Sequence, residues 1–320
     1  MIGAILTALF PVFALVVLGF ACEKRGWLGQ GAEPALTRFV AQLSLPVLTF
    51  VTLATIDPHG LEAPALIGVA LGSSFAVYAL VFVVERLLRS DASSANVTAL
   101  SGSYSNSAFV GLPVCLVVLG PESLGPAAVV IALNAAFVFG WAVLAGELVQ
   151  HRHGGLAAGS RAALRQVGTN PLIIGAVAGV LFALLGVQMP AALLSTLQTL
   201  GSATAACALV AIGMFMARPV ERVRNQLAAR GLLAKLVLHP LMAFAMLGLV
   251  PDMPAVWQAT LVLMAAMPTA ASAYVVGVQA GERGSRIAAT LIVFSTLGAM
   301  VTLPVVLAVL GQSGLVALAD

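Results

Sequence analysis

Ser105-Asn106-Ser107-Ala108-Phe109-Val110-Gly111-Leu112-Pro113 lies inside the apolar run Asn96–Gly120, which is long enough to cross a bilayer as one helix. Proline in a helix interior removes a hydrogen bond and clashes with the preceding turn. Lipid tolerates the freed backbone groups only where protein or a watery cavity receives them. A second run, Ala255–Ala280, carries Met267-Pro268-Thr269-Ala270-Ala271-Ser272 in its interior, and Pro268 follows Pro113 by 155 residues. Interrupted apolar runs at matching positions in two halves point to a binding site between duplicated repeats.

Outward from these two runs, the remaining apolar stretches are Ile2–Phe20, Ala35–Thr55, Pro64–Val84 and Pro126–Val149 in the first half. Asn170–Val187, Ala191–Met216, Gly231–Val250 and Arg286–Leu310 complete the second half, with Pro190 read as the turn between the sixth and seventh runs. The expectation is an all-α polytopic membrane protein of ten transmembrane helices, arranged as a 5+5 inverted repeat with helices four and nine broken. Five crossings per half is an odd number, so the second half inserts upside down. Residues 1–149 form the first repeat, 150–169 a cytoplasmic connector and 170–320 the second repeat.

Composition excludes the other classes. With 61% hydrophobic and 8% charged residues and a mean hydropathy of +1.07, the chain has far too few charges for a soluble domain. Unbroken apolar runs and 6% aromatic residues do not fit the alternation and girdles of a membrane β-barrel. Cys22, Cys115 and Cys207 stand far apart in apolar surroundings and read as small buried hydrophobes.

The formal charge of +3 does not suggest nucleic acid; the placement of the charges carries the information. All 15 basic residues flank the odd-numbered loops, from Lys24 and Arg25 to Arg283 and Arg286, and none flanks Asp57-Pro58-His59, Pro121-Glu122, Met189-Pro190 or Asp252. Positive loops stay cytoplasmic, so both termini are expected on the periplasmic side of the inner membrane. The first run has no basic residue before it and two after it, the reverse of a secretory signal.

At 1.5 Å per residue, Asn106 falls about 15 Å into its run and Pro268 about 20 Å into its own, near the middle of a bilayer. New helix N-termini near Pro113 and Thr269 would present unpaired N–H groups and partial positive charge to an anion. Asn106, Ser107, Thr269 and Ser272 add neutral donors, and Gly111, Pro113 and Pro268 shape the breaks. Asn134, midway along the fifth run, joins this candidate substrate site; Gln42, Ser44, Ser202 and Thr204 read as interhelical hydrogen-bonding residues. No Asp, Glu, Lys or Arg is expected deep inside any run, which weakens a carboxylate-based ion site.

His239 lies about 12 Å from the cytoplasmic end of its run and is the candidate coupling group; the alternative is a structural histidine donating to a carbonyl. Lys235 is expected to snorkel to the interface. His151 and His153 are assigned to a solvated connector rather than a metal pair, and no metal or cofactor is expected.

The Asn-Ser-x-Phe-x-Gly-Leu-Pro segment at Asn106–Pro113, with Phe10-Pro11-Val12-Phe13 and Leu45-Pro46, resembles the auxin efflux carrier family along the whole chain. That family includes bacterial malonate-type carriers and the plant PIN auxin carriers; bile acid–sodium symporters are a more distant likeness. The resemblance implies a scaffold of helices one, two, six and seven and a transport domain of helices three to five and eight to ten. It also implies organic-anion substrates held where the broken helices cross, elevator-like movement, and dimerisation through the scaffold. The long cytoplasmic loop of many plant members is missing here.

The expected function is secondary transport of small organic anions, mono- or dicarboxylates such as malonate-like acids, with proton or sodium coupling and no ATP hydrolysis. The alternative is a sodium-coupled symporter of bulky amphipathic acids, with a channel or sensor behind it. No Walker motif and no nucleophile–base cluster marks the chain as an enzyme.

Overall fold

The computed structural model describes residues 2–55, 64–150, 168–169, 171–217 and 226–316. The loop around Asp57-Pro58-His59, the connector carrying His151 and His153, and the segment with Arg218, Arg222 and Arg224 lie outside the described residues.

Among the described residues every regular element is helical. Helix α1 (Ile2–Arg25) is followed by α2 (Ala32–Phe39), which runs through a π turn at Val40–Ser44 into α3 (Leu45–Ala54). Then come α4 (Pro64–Leu87), α5 (Ala92–Ser103), and a π turn at Ser107–Gly111 leading into α6 (Leu112–Leu119). Helix α7 (Leu124–Leu133) continues through a π turn at Asn134–Phe139 into α8 (Gly140–Gln150). The second half holds α9 (Pro171–Leu184), α10 (Ala191–Met216), and α11 (Gln226–Leu233) joined by a π turn at Ala234–Leu238 to α12 (His239–Leu247). Helices α13 (Ala255–Ala266), α14 (Ala273–Gln279) and α15 (Gly281–Gln312) complete it.

Among the described residues, six helical runs are long and apolar enough to cross a membrane: Ala32–Val51, Pro64–Leu87, Pro121–Gly146, Ala191–Met216, Gln226–Leu247 and Gly281–Gln312. Their outward faces leave Leu80, Val83, Leu241, Val301 and Val305 exposed. In water such a surface would drive aggregation, whereas lipid accepts it. This is a multi-pass membrane protein.

Glycine lets two helix pairs approach closely. A Cβ at Gly213 of α10 would overlap the Val16 carbonyl oxygen of α1, and one at Gly19 of α1 would overlap the Val210 carbonyl oxygen. Gly175 and Gly179 of α9 pack likewise on the carbonyls of Pro46 and Phe50 in α3. Small residues at such seams are the membrane solution to backbone-close packing. Pro190 caps α10 with extended geometry, so the chain turns there as its sequence implies.

Several helices extend beyond their apolar runs, and in two of them, α4 and α11, the extension bears on buried charge. Helix α4 continues to Leu87 and carries Glu85 into the interior, fully buried. There Arg230 of α11, 28% exposed, grips it bidentately, Nε to Oε1 at 2.5 Å and Nη2 to Oε2 at 2.8 Å. The chain is already helical at Gln226, the first described residue of α11 and five residues before the expected Gly231, so Lys235 lies at least about 14 Å along the helix.

Candidate functional site

The polypeptide leaves helical geometry at two places that meet. After α5 the backbone is extended at Tyr104, and after α13 it is extended at Met267. Ser105 and Thr269 form an isolated antiparallel bridge. Asn106 N–H donates to the Pro268 carbonyl at 2.7 Å, and Ala270 N–H donates to the Tyr104 carbonyl at 3.2 Å. Each extended segment thus satisfies backbone groups that the other's departure from helix left open.

The carbonyls freed at the helix ends find side chains. Thr269 Oγ1 donates to the Ser101 carbonyl at 2.7 Å, and Thr269 N–H donates to Ser295 Oγ of α15 at 2.9 Å. The Ala265 carbonyl at the end of α13 receives Lys235 Nζ at 3.0 Å.

Beside the bridge lies a cavity of about 190 Å³. Its polar lining comes from Ser105, Asn106, Ser107, Asn134 and Ser272, and its apolar lining includes Leu45, Phe109, Ile131 and Phe139. That volume holds several waters or one small organic acid. The Asn106 side chain, 6% exposed, has no hydrogen-bond partner among the described residues, and Ser107 Oγ is buried and unpaired among them.

Of the residues singled out from sequence, Asn106, Ser107, Ser272 and Asn134 line this cavity, and Pro268 braces it through its carbonyl. Thr269 is fully buried but turns away, to Ser101 and Ser295. Gly111 and Pro113 sit behind the lining; a Cβ at Gly111 would meet Met264 Sδ at 2.5 Å, so its role is close packing on α13. The helical restart also differs from expectation. It begins at Ser107 with Asn106 as N-cap rather than near Pro113, and in the second half at Ala273 after Ser272 rather than near Thr269.

The expectation that no charged side chain lies deep in an apolar run is overturned by Lys235. It does not snorkel: it is 0% exposed, and its Nζ donates to Ser105 Oγ at 2.6 Å and to the Ala265 carbonyl, and contacts His239 Nδ1 at 2.7 Å. At the C-terminal end of α13 its Nζ meets the negative pole of that helix and one of its unpaired carbonyls, which the interface does not offer. His239, 2% exposed, contacts Ser74 Oγ through Nε2 at 3.3 Å, and Ser74 Oγ donates to Asn134 Oδ1 at 3.2 Å. A polar chain therefore runs from one cavity wall at Ser105 through Lys235, His239 and Ser74 to the other wall at Asn134.

Sequence reading missed Lys235, Ser105 and Ser74, yet a signal was present. Pro46, Pro113 and Pro240 each follow the end of a π turn by two residues. The proline ring and missing N–H disfavour the tighter α turn before them, and a π turn shifts the helix phase by about 100°. Three of the four π turns contribute cavity-lining residues and the fourth carries Lys235. Among the described residues, no group of three His, Cys, Asp or Glu is placed to hold a metal ion.

A cavity between two extended segments, inside a bundle of membrane helices, is the arrangement of a transport protein. The chain belongs to the membrane transport protein family, matching it over residues 4–307, which bears out the likeness to auxin efflux carriers. It is 29% identical over 300 residues to a protein of Rhizobium meliloti (strain 1021) named "Putative malonate transporter", covering 90% of each chain. It is 28% identical over 298 residues to an "Uncharacterized transporter" of Methanothermobacter thermautotrophicus, covering 92% of this chain and 94% of that one.

Proposed function

We propose that this protein is a secondary transporter of small organic anions, mono- and dicarboxylates of malonate size, working by elevator-type alternating access. The observation that carries the reading is the 190 Å³ cavity at the Ser105–Thr269 bridge, which the Asn106 side chain lines and beside which the buried Ser107 hydroxyl has no partner among the described residues. Unpaired buried polar groups are costly, and a carboxylate accepting from them offsets that cost. The name of the Rhizobium meliloti relative supports the same substrate class. The small volume favours such acids over the bulky amphipathic acids of the alternative reading.

In this reading the chain crosses the inner membrane ten times, with both termini periplasmic, as two inverted repeats at 1–149 and 170–320 joined by the 150–169 connector. Helices α5 with α6 and α13 with α14 are the fourth and ninth crossings, each interrupted. The glycine seams between α1 and α10 and between α3 and α9 support a scaffold of the first, second, sixth and seventh crossings. The cavity lies mostly on the remaining helices, which form the transport domain, and the scaffold face provides for a homodimer. His239, joined to the cavity wall through Ser74, is the candidate coupling group for a proton; sodium held by neutral oxygens is the other option.

The test is thermal unfolding of purified protein with acetate, malonate, succinate and bulky amphipathic acids, each with and without sodium at two pH values. A ligand that prefers the folded state raises its apparent stability. Stabilisation by a small carboxylate supports the reading; stabilisation only by bulky acids with sodium sinks it.

A further inference from the structure

Lys235 Nζ is buried among three acceptors, the set that the three donors of an ammonium require. Among the described residues no carboxylate pairs with it; the buried Glu85 is engaged by Arg230 and Ser90. Neutral oxygens, one histidine nitrogen and the end of α13 hold the cation, but they do not neutralise it. Ionisable side chains inside a membrane bundle are expensive and face a substrate path or a partner. Here no partner of opposite charge stands among the described residues, and the cavity lies one side chain away, beyond Ser105.

The hydrogen-bond directions follow from the ammonium, which has three donors and no acceptor. His239 Nδ1 must then accept from Lys235, so the ring proton sits on Nε2 and donates to Ser74 Oγ. Ser74 donates its own proton to Asn134 Oδ1, leaving the Asn134 NH2 group as the free half of that amide at the cavity wall. On the other wall Ser105 Oγ accepts from Lys235, and its hydrogen has only the 3.4 Å Ala265 carbonyl as acceptor among the described residues. A carboxylate in the cavity offers a better one.

Resting on the anion-carrier reading above, we propose that Lys235 is the counter-charge of the substrate site. It is a positioning residue whose ammonium turns donors of both cavity walls, Ser105 directly and Asn134 through His239 and Ser74, towards a carboxylate. Two hydrogen-bond lengths separate the ammonium from a carboxylate bound to Ser105, about 5 Å. At an effective dielectric of about 20, that attraction corresponds to roughly 250-fold in affinity.

The experiment is isothermal titration of wild type, Lys235→Met, His239→Gln and His239→Leu with acetate, malonate and succinate and with the uncharged diamide malonamide. Lys235→Met is expected to weaken malonate by 100-fold or more while weakening malonamide, which loses only the orientation of its donors, by no more than about tenfold. A purely structural role would weaken both equally. Methionine fills the same slot without a charge; should that variant fail to fold, the histidine pair decides. In His239→Gln the new amide can accept from Lys235 and donate to Ser74, so malonate affinity should stay within a few-fold of wild type. His239→Leu cuts the chain to Asn134 and should cost about tenfold. Malonate binding unchanged in Lys235→Met, or lost equally in both histidine variants, overturns the proposal and leaves the carrier reading standing. A wild type that binds none of the carboxylates overturns that reading too.

Discussion

Replacing Asn106 with alanine separates binding from folding better than any other single change. The Asn106 side chain is 6% exposed, lines the cavity and bonds no other described residue. Its structural work is done by the backbone, with its N–H on the Pro268 carbonyl and its own carbonyl accepting from Val110 and Gly111 at 3.0 Å each. It caps the turn at Ser107 without a side-chain hydrogen bond, so alanine removes no capping energy. The fold should therefore lose less than about 1 kcal/mol. A bound carboxylate would lose a charge-assisted hydrogen bond worth about 1.5–3 kcal/mol, which raises Kd roughly 10- to 150-fold. Titration with the acid that most stabilises wild type, alongside thermal unfolding of the unliganded variant, reads both quantities. Wild-type affinity in Asn106→Ala would move the anion site away from the bridge. A lost affinity accompanied by a large drop in melting temperature would mean that the amide serves the fold instead.

Three further outcomes concern the frame around the site. Arg230→Met should destabilise more than Glu85→Gln, by about 3 against 1 kcal/mol, because it strands a fully buried carboxylate whereas the partly exposed arginine can rehydrate; equal losses in denaturant titrations would contradict this. Gly213→Ala drives a methyl group against the Val16 carbonyl of α1, so unfolding in detergent should show a loss of about 1–3 kcal/mol, and an unchanged midpoint would refute the close seam. Asp91 caps α5 by accepting from Ser94 N–H at 2.8 Å. Burial by itself would raise its carboxyl pKa, but the Ser94 hydrogen bonds and the Arg283 charge outweigh it and hold the group below the usual carboxylate value. Its stabilisation is thus present at neutral pH and lost as pH falls through that lowered value. Asp91→Ala should cost about 1 kcal/mol at pH 7, with the gap to wild type closing in strong acid; a gap independent of pH would refute the charged cap.

Much of the molecule was legible in local pattern. Apolar runs of membrane length and the scarcity of charge determine a multi-pass helical protein, because a bilayer demands that each crossing satisfy its own backbone. Pro113 and Pro268 marked the neighbourhood in which the polypeptide leaves helix, and Asn106, Ser107 and Ser272 do border the cavity there. Their resolution was coarse. A proline disturbs the turns before it, so the interruption lies several residues upstream of Pro113, at Tyr104–Asn106.

What only the tertiary structure decided is which polar groups face one another. Thr269 looked equivalent to Ser272 but is taken by Ser101 and Ser295. Lys235, four residues before His239, read as a cytoplasmic anchor, yet it is buried against Ser105 and Ala265, residues 130 and 30 positions away in the chain. Helical periodicity measures distance along one element and depends on an unbroken phase; the π turn at Ala234–Leu238 shifts that phase. The carbonyl that receives Lys235 Nζ is open only because α13 ends where it does. Sequence by itself therefore determined the solvent of this protein, its helices and the region of the cavity. The hydrogen-bond chain across that site was set by where separate helices stop, a property of their packing that no single segment contains.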